Sequence, residues 1–139
     1  MNLLAHIYLS GSIEKIKVGN FIGDYVKGRK YRAYDPLMKK GILLHRAIDS
    51  YTDGNAIPRR VTRMLRPYYR KYAGIVVDVF YDHFLANTWQ HYCTTPLDVY
   101  IHDFYRILED NFEVLPQPVQ RFVPRMIRHN RLYSYKWLE

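Results

Sequence analysis

The chain has 139 residues, which is enough for one domain with a buried core. Hydrophobic residues account for 48% and charged residues for 24%, the usual balance of a globular protein. The net charge of +8 and the 14 tyrosines favour an acidic partner, either nucleic acid, anionic lipid or an acidic protein. Cys93 is the only cysteine, so no disulfide can form within the chain. Because neither a secretion signal nor a membrane-spanning segment is apparent, we predict a cytoplasmic protein.

Helix start and stop signals recur along the chain, with glycine and proline between them. Asp35 followed by Pro36 is the clearest start, an N-cap with proline at the first helical position. Pro67 should kink or divide the fourth helix. No segment alternates with period two, so we predict an all-α, single-domain helical bundle over residues 1–139. The predicted helices cover residues 3–9, 12–26, 36–52, 58 onward, 74–92 and 95–112.

Acidic and imidazole side chains interrupt two of the apolar helices. His45, Asp49 and Asp53 are spaced four residues apart and therefore lie on one side of a helix. Asp78 and Asp82 share this spacing in the segment 74–92, which is apolar nearly all round and predicts a buried central helix. Buried carboxylates are costly unless a cation accompanies them, and a metal ion would also relieve their mutual repulsion. Carboxylates and imidazoles without a thiolate favour Mn²⁺, Mg²⁺ or Fe²⁺ over structural zinc.

The same residues have a simpler interpretation. A single buried aspartate is commonly a helix cap or the partner of an arginine, and Arg46 is available to Asp49 or Asp82. A single histidine in a helix more often makes a core hydrogen bond than binds a metal. His6 and Asp24 also lie in apolar helices and could complete a metal cluster if the fold brings them together. Spacing alone therefore leaves both a metal site and an ion-pair network open.

Four ordered blocks in the first 89 residues are shared with a known family. They read MNLLAH at 1–6, GNFIGDYVKG at 19–28, GILLHRAIDSYTD at 41–53, and DVFYDHFL at 78–85 followed by Trp89. On these residues the chain resembles the acyl carrier protein phosphodiesterase family, a divergent branch of the HD-type metal phosphohydrolases. The resemblance implies an HD-like helical fold and a role in lipid metabolism, within fatty acid biosynthesis. The implied reaction is hydrolysis of the phosphodiester that joins 4′-phosphopantetheine to a serine of acyl carrier protein, with Mn²⁺ as the usual cofactor.

The resemblance also implies functional residues. Arg46 and His83 would contact the phosphate or act as acid and base, with Asp82 as a further catalytic residue. The residues that it marks as metal ligands are His6, Asp24, His45, Asp49, Asp78 and Asp82.

Two features depart from the family pattern. Asp82 precedes His83, the reverse of the usual His-Asp doublet, and family members continue past the equivalent of Glu139, so we expect the domain to lack the family's C-terminal helices.

Arginines recur along the fourth predicted helix and would form one solvent-facing stripe. The stripe comprises Arg59, Arg63, Arg66 and Arg70. The apolar residues predicted to face inward are Val61, Met64, Leu65, Tyr68 and Tyr72. Because acyl carrier protein is a small acidic helical protein, we predict this stripe as its docking surface, with an ordinary solvated basic face as the alternative.

Other functions remain open at this stage. A metal phosphohydrolase acting on a nucleotide or another small phosphodiester would use the same acidic cluster. A nucleic-acid-binding module would use the arginine stripe with Tyr68, Tyr69 and Tyr72 for phosphate contacts and stacking. That module is disfavoured because it leaves Asp49, Asp78 and Asp82 without a role. A further alternative is a family member that binds the carrier protein without cleaving it.

Overall fold

The computed structural model describes residues 2–137, and every regular element within them is helical. The all-α prediction is therefore confirmed. Short 3-10 turns follow several of the helices, at Gly23–Tyr25, Arg70–Tyr72 and Tyr133–Lys136 among others. The α-helices in this part of the chain are α1 (Leu3–Leu9), α2 (Glu14–Ile22), α3 (Pro36–Gly54), α4 (Ala56–Tyr69), α5 (Ala73–Asn87), α6 (Leu97–Asp110) and α7 (Gln117–Arg128).

Helices α2 and α3 form the most extensive helix pair, and two glycines let their backbones touch. A Cβ atom on Gly19 would lie 2.1 Å from the carbonyl oxygen of Met38, and one on Gly41 would lie 2.3 Å from that of Ile16. Any side chain at these positions would force the helices apart. This close crossing continues to the end of α2, where Gly23 contacts the His45 ring at the middle of α3.

Helix α3 begins as the sequence predicts. The Asp35 side chain accepts hydrogen bonds from the backbone amides of Leu37 and Met38, and Pro36 takes the first helical position. The helix then runs to Gly54, two residues beyond the predicted end. It therefore carries His45 and Asp49 on one uninterrupted face.

The hydrophobic core lies mainly between the N-terminal helices and the C-terminal half of the chain. Phe21 of α2 packs its ring against Phe104 of α6, with ring centroids 5.3 Å apart. Val119, Val123 and Met126 of α7 are buried in the same cluster. Helix α7 lies outside the helices predicted from the sequence, the last of which covers residues 95–112. Helix α7 begins at Gln117, so Pro118 lies in its first turn. Proline is tolerated there because the first amides of a helix have no hydrogen-bond partner within the helix.

The predicted burial of the helix at 74–92 is wrong. Helix α5 ends at Asn87, and only four of its residues are buried, namely Ala73, Val77, Asp82 and Ala86. Ile75 and Phe84 are 57% and 59% exposed. Apolar composition does not reveal which neighbours a helix has, and part of this surface has no covering layer among residues 2–137.

Helix α4 also differs from expectation, because none of its residues is buried. It packs chiefly on α5. Val61 and Leu65 are half-buried as predicted, whereas Met64 and Tyr68, predicted to face inward, are exposed. Pro67 neither breaks nor divides the helix, which ends two residues later at Tyr69, before Arg70 takes a positive φ of 54°.

Helix α2 begins two residues after the predicted N-cap Ser12. Ile13 takes the N-cap position and makes no side-chain cap, and the helix gives way to a 3-10 turn at Gly23. None of the helices in the described part of the chain is both long and apolar enough to span a bilayer.

Candidate metal centre

Two buried histidines meet where α1, α2 and α3 converge. His6 of α1 and His45 of α3 are each 2% exposed, and their rings stack with centroids 4.2 Å apart and an interplanar angle of 23°. Asp49, one helical turn after His45, contacts both rings. Its Oδ1 lies 3.0 Å from His6 Nε2 and its Oδ2 lies 3.1 Å from His45 Nε2. Asp24 Oδ1 also lies 2.9 Å from His45 Nε2.

Asn20, fully buried on α2, holds both rings by their other nitrogen. Its Nδ2 donates to the carbonyl oxygen of His6 at 3.0 Å and to Ser10 Oγ at 2.8 Å, which fixes the orientation of the amide. Its Oδ1 therefore faces the histidines as an acceptor, 2.7 Å from His6 Nδ1 and 3.2 Å from His45 Nδ1. This network assigns a proton to Nδ1 of each ring.

The Nε2 atoms consequently face carboxylate oxygens. A neutral ring with its proton on Nδ1 presents a lone pair at Nε2, which repels a carboxylate oxygen 3 Å away. Either each ring takes a second proton or a cation lies between the rings and the carboxylates. Burial first, and then the proximity of His45, lower the pKa of His6, which disfavours a second proton on that ring. Two stacked imidazolium ions in a buried site would also repel each other.

His6, His45 and Asp49 form a group that can hold a metal ion. One ligand atom from each lies within 4.8 Å of the others. Two imidazoles fixed through Nδ1 by a hydrogen-bonding partner, together with a carboxylate, are a usual donor set for a divalent cation. Asp24 adjoins this group, and its pKa lies below the ordinary value, chiefly because of its contact with His45. Asp24 is therefore ionised at neutral pH.

This candidate metal-binding group, His6, His45 and Asp49, opens into a cavity of about 230 Å³, here called the acidic cavity. Four aspartates line it: Asp24, Asp49, Asp53 and Asp78. The other lining residues are Asn2, Ala5, His6, Leu9, Ile48 and Thr52. Asp53 shares one side of α3 with His45 by its spacing, but it is not among the predicted site residues. The predicted ligands His6, Asp24, His45 and Asp49 are thus joined by a chain of direct contacts, and Asp78 lines the same cavity.

Gly23 shows how tightly the site is packed. A Cβ atom at this position would lie 2.3 Å from Cγ of the His45 ring. The backbone of Gly23 has φ −53° and ψ −38°, which any residue can adopt. The requirement for glycine is therefore steric and comes from the histidine ring.

Asp82 lies next to α1 and is not part of the His6–His45–Asp49 group. Its carboxylate is fully buried, with Oδ2 accepting from the amide of Leu4 at 3.0 Å and Oδ1 from that of Ala5 at 3.1 Å. These are free amides of the first turn of α1, whose own N-cap residue, Asn2, makes no side-chain cap. Asp82 therefore anchors the helix that carries His6. Burial raises the pKa of Asp82 to about 7.

Arg46 and His83 have other partners. The Arg46 guanidinium donates to the Val26 carbonyl oxygen at 2.8 Å and lies over the ring of Tyr31 at 5.2 Å. His83 Nδ1 lies 2.7 Å from the carbonyl oxygen of Tyr135, near the C-terminal end of the described chain. Neither residue is among the described residues that line the acidic cavity. Their predicted roles at the phosphate stay predictions without a contact to support them.

The arginine stripe lies on α4 and at its end. Arg59, Arg63, Arg66 and Arg70 are all exposed. The first three also line a second cavity, whereas Arg70 does not. Three apolar residues of α4 are also exposed: Ile57 is 69%, Met64 is 66% and Tyr68 is 81% exposed.

Comparison with known proteins agrees with the resemblance found in the sequence blocks. The family model described as acyl carrier protein phosphodiesterase matches residues 1–139. A protein of that name from Klebsiella pneumoniae (strain 342) is 34% identical over 100% of this chain and 69% of its own length. One from Yersinia pestis is 33% identical over the same shares of both chains. No solved structure matches the chain. The full-length family match and these relatives show that the chain belongs to the acyl carrier protein phosphodiesterase family.

Proposed function

We propose that this protein hydrolyses the phosphodiester between 4′-phosphopantetheine and the serine of holo-acyl carrier protein, in the cytoplasm. Family membership supports the substrate, since the relatives carry the name acyl carrier protein phosphodiesterase. The observation that carries the chemistry is the convergence of His6, His45 and Asp49 beside an acidic cavity. Water adds to phosphorus, the bond from phosphorus to the serine oxygen breaks, and the serine oxygen takes a proton. The products are apo-acyl carrier protein and 4′-phosphopantetheine.

The proposed cofactor is a divalent cation held by Nε2 of His6, Nε2 of His45 and a carboxylate oxygen of Asp49. Mn²⁺ is the preferred ion, with Mg²⁺ or Fe²⁺ as alternatives, because the donors are imidazole nitrogens and carboxylate oxygens without sulfur. When bound, such a cation supplies Lewis acidity towards a phosphoryl oxygen and lowers the pKa of a coordinated water. Asp24 and Asp78 are proposed as further ligands or as acceptors at the edge of the same site.

The protein's own groups would orient the reactants and receive the proton. Asn20 keeps both histidines in the tautomer that presents Nε2 to the cation. Asp24 lines the acidic cavity beside the His6–His45–Asp49 group, and its carboxylate is the proposed acceptor for the proton of the attacking water. Asp82 would act through α1, whose first turn it anchors, and thereby keep His6 in place.

The carrier protein is proposed to dock over α4. The four arginines predicted for this purpose are exposed, and they would attract an acidic partner. Ile57, Met64 and Tyr68 add exposed apolar area on the same helix. A mixed basic and apolar face is what an acidic amphipathic helix needs in order to bind.

The test is an intact-mass assay of holo-acyl carrier protein incubated with this protein and Mn²⁺. We expect conversion to the apo mass by the wild type and by Asp98→Asn, an exposed aspartate on α6. Asp49→Asn should abolish conversion, because it removes the carboxylate shared by both histidines. No conversion by the wild type, combined with cleavage of bis(4-nitrophenyl) phosphate, would refute the proposal and favour a small-molecule phosphodiesterase. Binding of the carrier protein without cleavage of either substrate would indicate a binding protein.

A further inference from the structure

A second cavity, here called the arginine cavity, adjoins the acidic cavity. Its volume is about 320 Å³. It is lined by Thr52, Asp53, Pro58, Arg59, Thr62, Arg63, Arg66 and Gly74. Thr52 and Asp53 line both cavities. The two spaces therefore meet at the last turns of α3, with the metal-binding group on one side and α4 on the other.

The three arginines reach this cavity because of their spacing on α4. Arg59, Arg63 and Arg66 are four and three residues apart, which puts them on one side of the helix. Within residues 2–137, none of their guanidinium groups forms an ion pair or a side-chain hydrogen bond. Asp53 is the only carboxylate among the described lining residues, so positive charge predominates in the arginine cavity.

The acidic cavity needs such a neighbour if it is to accept a phosphodiester. Asp24, Asp49 and Asp53 alone carry more negative charge than one divalent cation neutralises. An anionic substrate approaching it is therefore repelled unless a cationic group lies close by. Arg46, the arginine predicted for this purpose, is bound to the Val26 carbonyl and to Tyr31. The arginine cavity supplies the missing positive charge.

We propose that Arg59, Arg63 and Arg66 form a phosphate-binding subsite that holds the phosphoryl oxygens of the substrate beside the His6–His45–Asp49 group. This inference rests on the proposed function, and it assigns phosphate binding to three of the four arginines in the stripe that is proposed to dock the carrier protein. The planar guanidinium group donates two parallel hydrogen bonds to a phosphate, which a lysine cannot do. The phosphate would then lie near Thr52 and Asp53, where the arginine cavity meets the acidic cavity.

The subsite can be tested without turnover by titrating the metal-free protein with inorganic phosphate. Binding is followed by NMR of the arginine Nε–Hε groups. We expect saturable shifts of Arg59, Arg63 and Arg66 in the wild type. The double variant Arg63→Gln, Arg66→Gln should bind phosphate at least about tenfold more weakly, because charge-assisted hydrogen bonds are lost.

The matched control is Arg60→Gln with Lys71→Gln, which removes the same charge at exposed positions that line neither cavity. Its phosphate affinity should stay within about twofold of the wild type, since only screened long-range charge changes. Equal losses in both double variants would overturn the subsite, because they would show a general charge effect. The absence of saturable shifts in the wild type would overturn it as well.

Kinetics with the carrier protein separate this subsite from the proposed function and from simple docking. If holo-acyl carrier protein is not cleaved but phosphate binds as expected, the subsite stands and the proposed function fails. If the carrier protein is cleaved and Arg63→Gln, Arg66→Gln keeps both its KM and its kcat, the subsite fails and the proposed function stands. A variant that binds the carrier protein more weakly but binds phosphate normally shows that these arginines contact only acidic side chains of the partner, which also refutes the subsite.

Discussion

Replacement of Asn20 by alanine removes the group that sets both histidine tautomers. Asn20 is fully buried and its oxygen accepts from Nδ1 of His6 at 2.7 Å and of His45 at 3.2 Å. Both ring N–H groups lose their partner in Asn20→Ala. A buried donor without a partner costs about 1–3 kcal/mol. Because the bond to His45 is long, we expect a total loss of about 2–4 kcal/mol in the free energy of unfolding.

The effect on metal binding is the more specific result. Partners that orient a metal-binding histidine contribute about 10–100-fold to metal affinity. Asn20→Ala should therefore bind Mn²⁺ about 10–100-fold more weakly in isothermal titration calorimetry, and urea unfolding of the metal-free protein should report the stability change. Ser10→Ala is the matched control. It removes the bonds from Ser10 Oγ to the His6 carbonyl and from Asn20 Nδ2 to Ser10 Oγ, but it touches neither ring.

Ser10→Ala should lose about 1 kcal/mol of stability and keep nearly all of its Mn²⁺ affinity. Wild-type Mn²⁺ affinity in Asn20→Ala would refute the assignment of the histidine tautomers. An equal loss of affinity in both variants would refute it too, because the loss would then follow general destabilisation.

Three further substitutions, two of them with a matched glycine control, probe the surroundings of the site. Because the pKa of Asp82 is about 7 in the fold, the folded protein keeps a proton between pH 4 and 7 that the unfolded chain has lost, so wild-type stability should fall over this range. Between pH 4 and 7, the free energy of unfolding of the wild type, measured with urea, should fall by up to about 4 kcal/mol relative to that of Asp82→Asn. A difference between the two proteins that does not change with pH would contradict this. Gly23→Ala should weaken Mn²⁺ binding by displacing His45, whereas Gly54→Ala, with open space around it, should not. Gly41→Ala should overpack the contact between α2 and α3, which costs about 1–3 kcal/mol of stability and lowers the thermal midpoint. Gly74→Ala, with open space around it, should leave the thermal midpoint nearly unchanged.

Local sequence signals predicted the helices that build the site. Asp35 and Pro36 fixed the start of α3, and the four-residue spacing of His45 and Asp49 fixed their common face. That His6 and Asp24 reach the same point depends on the crossing of three helices, which spacing within one helix does not determine. From the residues alone, His6 and Asp24 join the cluster only if the fold brings them together, and the resemblance to a family groups them with His45 and Asp49.

Other features depend on contacts that a single sequence does not display. Asn20 is polar and lies among apolar residues in one of the shared blocks, yet only the fold shows that its amide joins two histidines. Asp82 was predicted as a ligand from its place on an apolar helix, and the structure puts both its oxygens on amides of α1, 77 and 78 residues away in sequence. The exposure of α5 likewise depends on which helices lie beside it.

The metal centre is tested most directly by anomalous diffraction from crystals grown with Mn²⁺. We predict an anomalous peak within coordination distance, about 2.0–2.3 Å, of Nε2 of His6, Nε2 of His45 and a carboxylate oxygen of Asp49. The peak should be absent from crystals of Asp49→Asn. A peak bound by other residues, or no peak at saturating Mn²⁺ in an active protein, would contradict the centre.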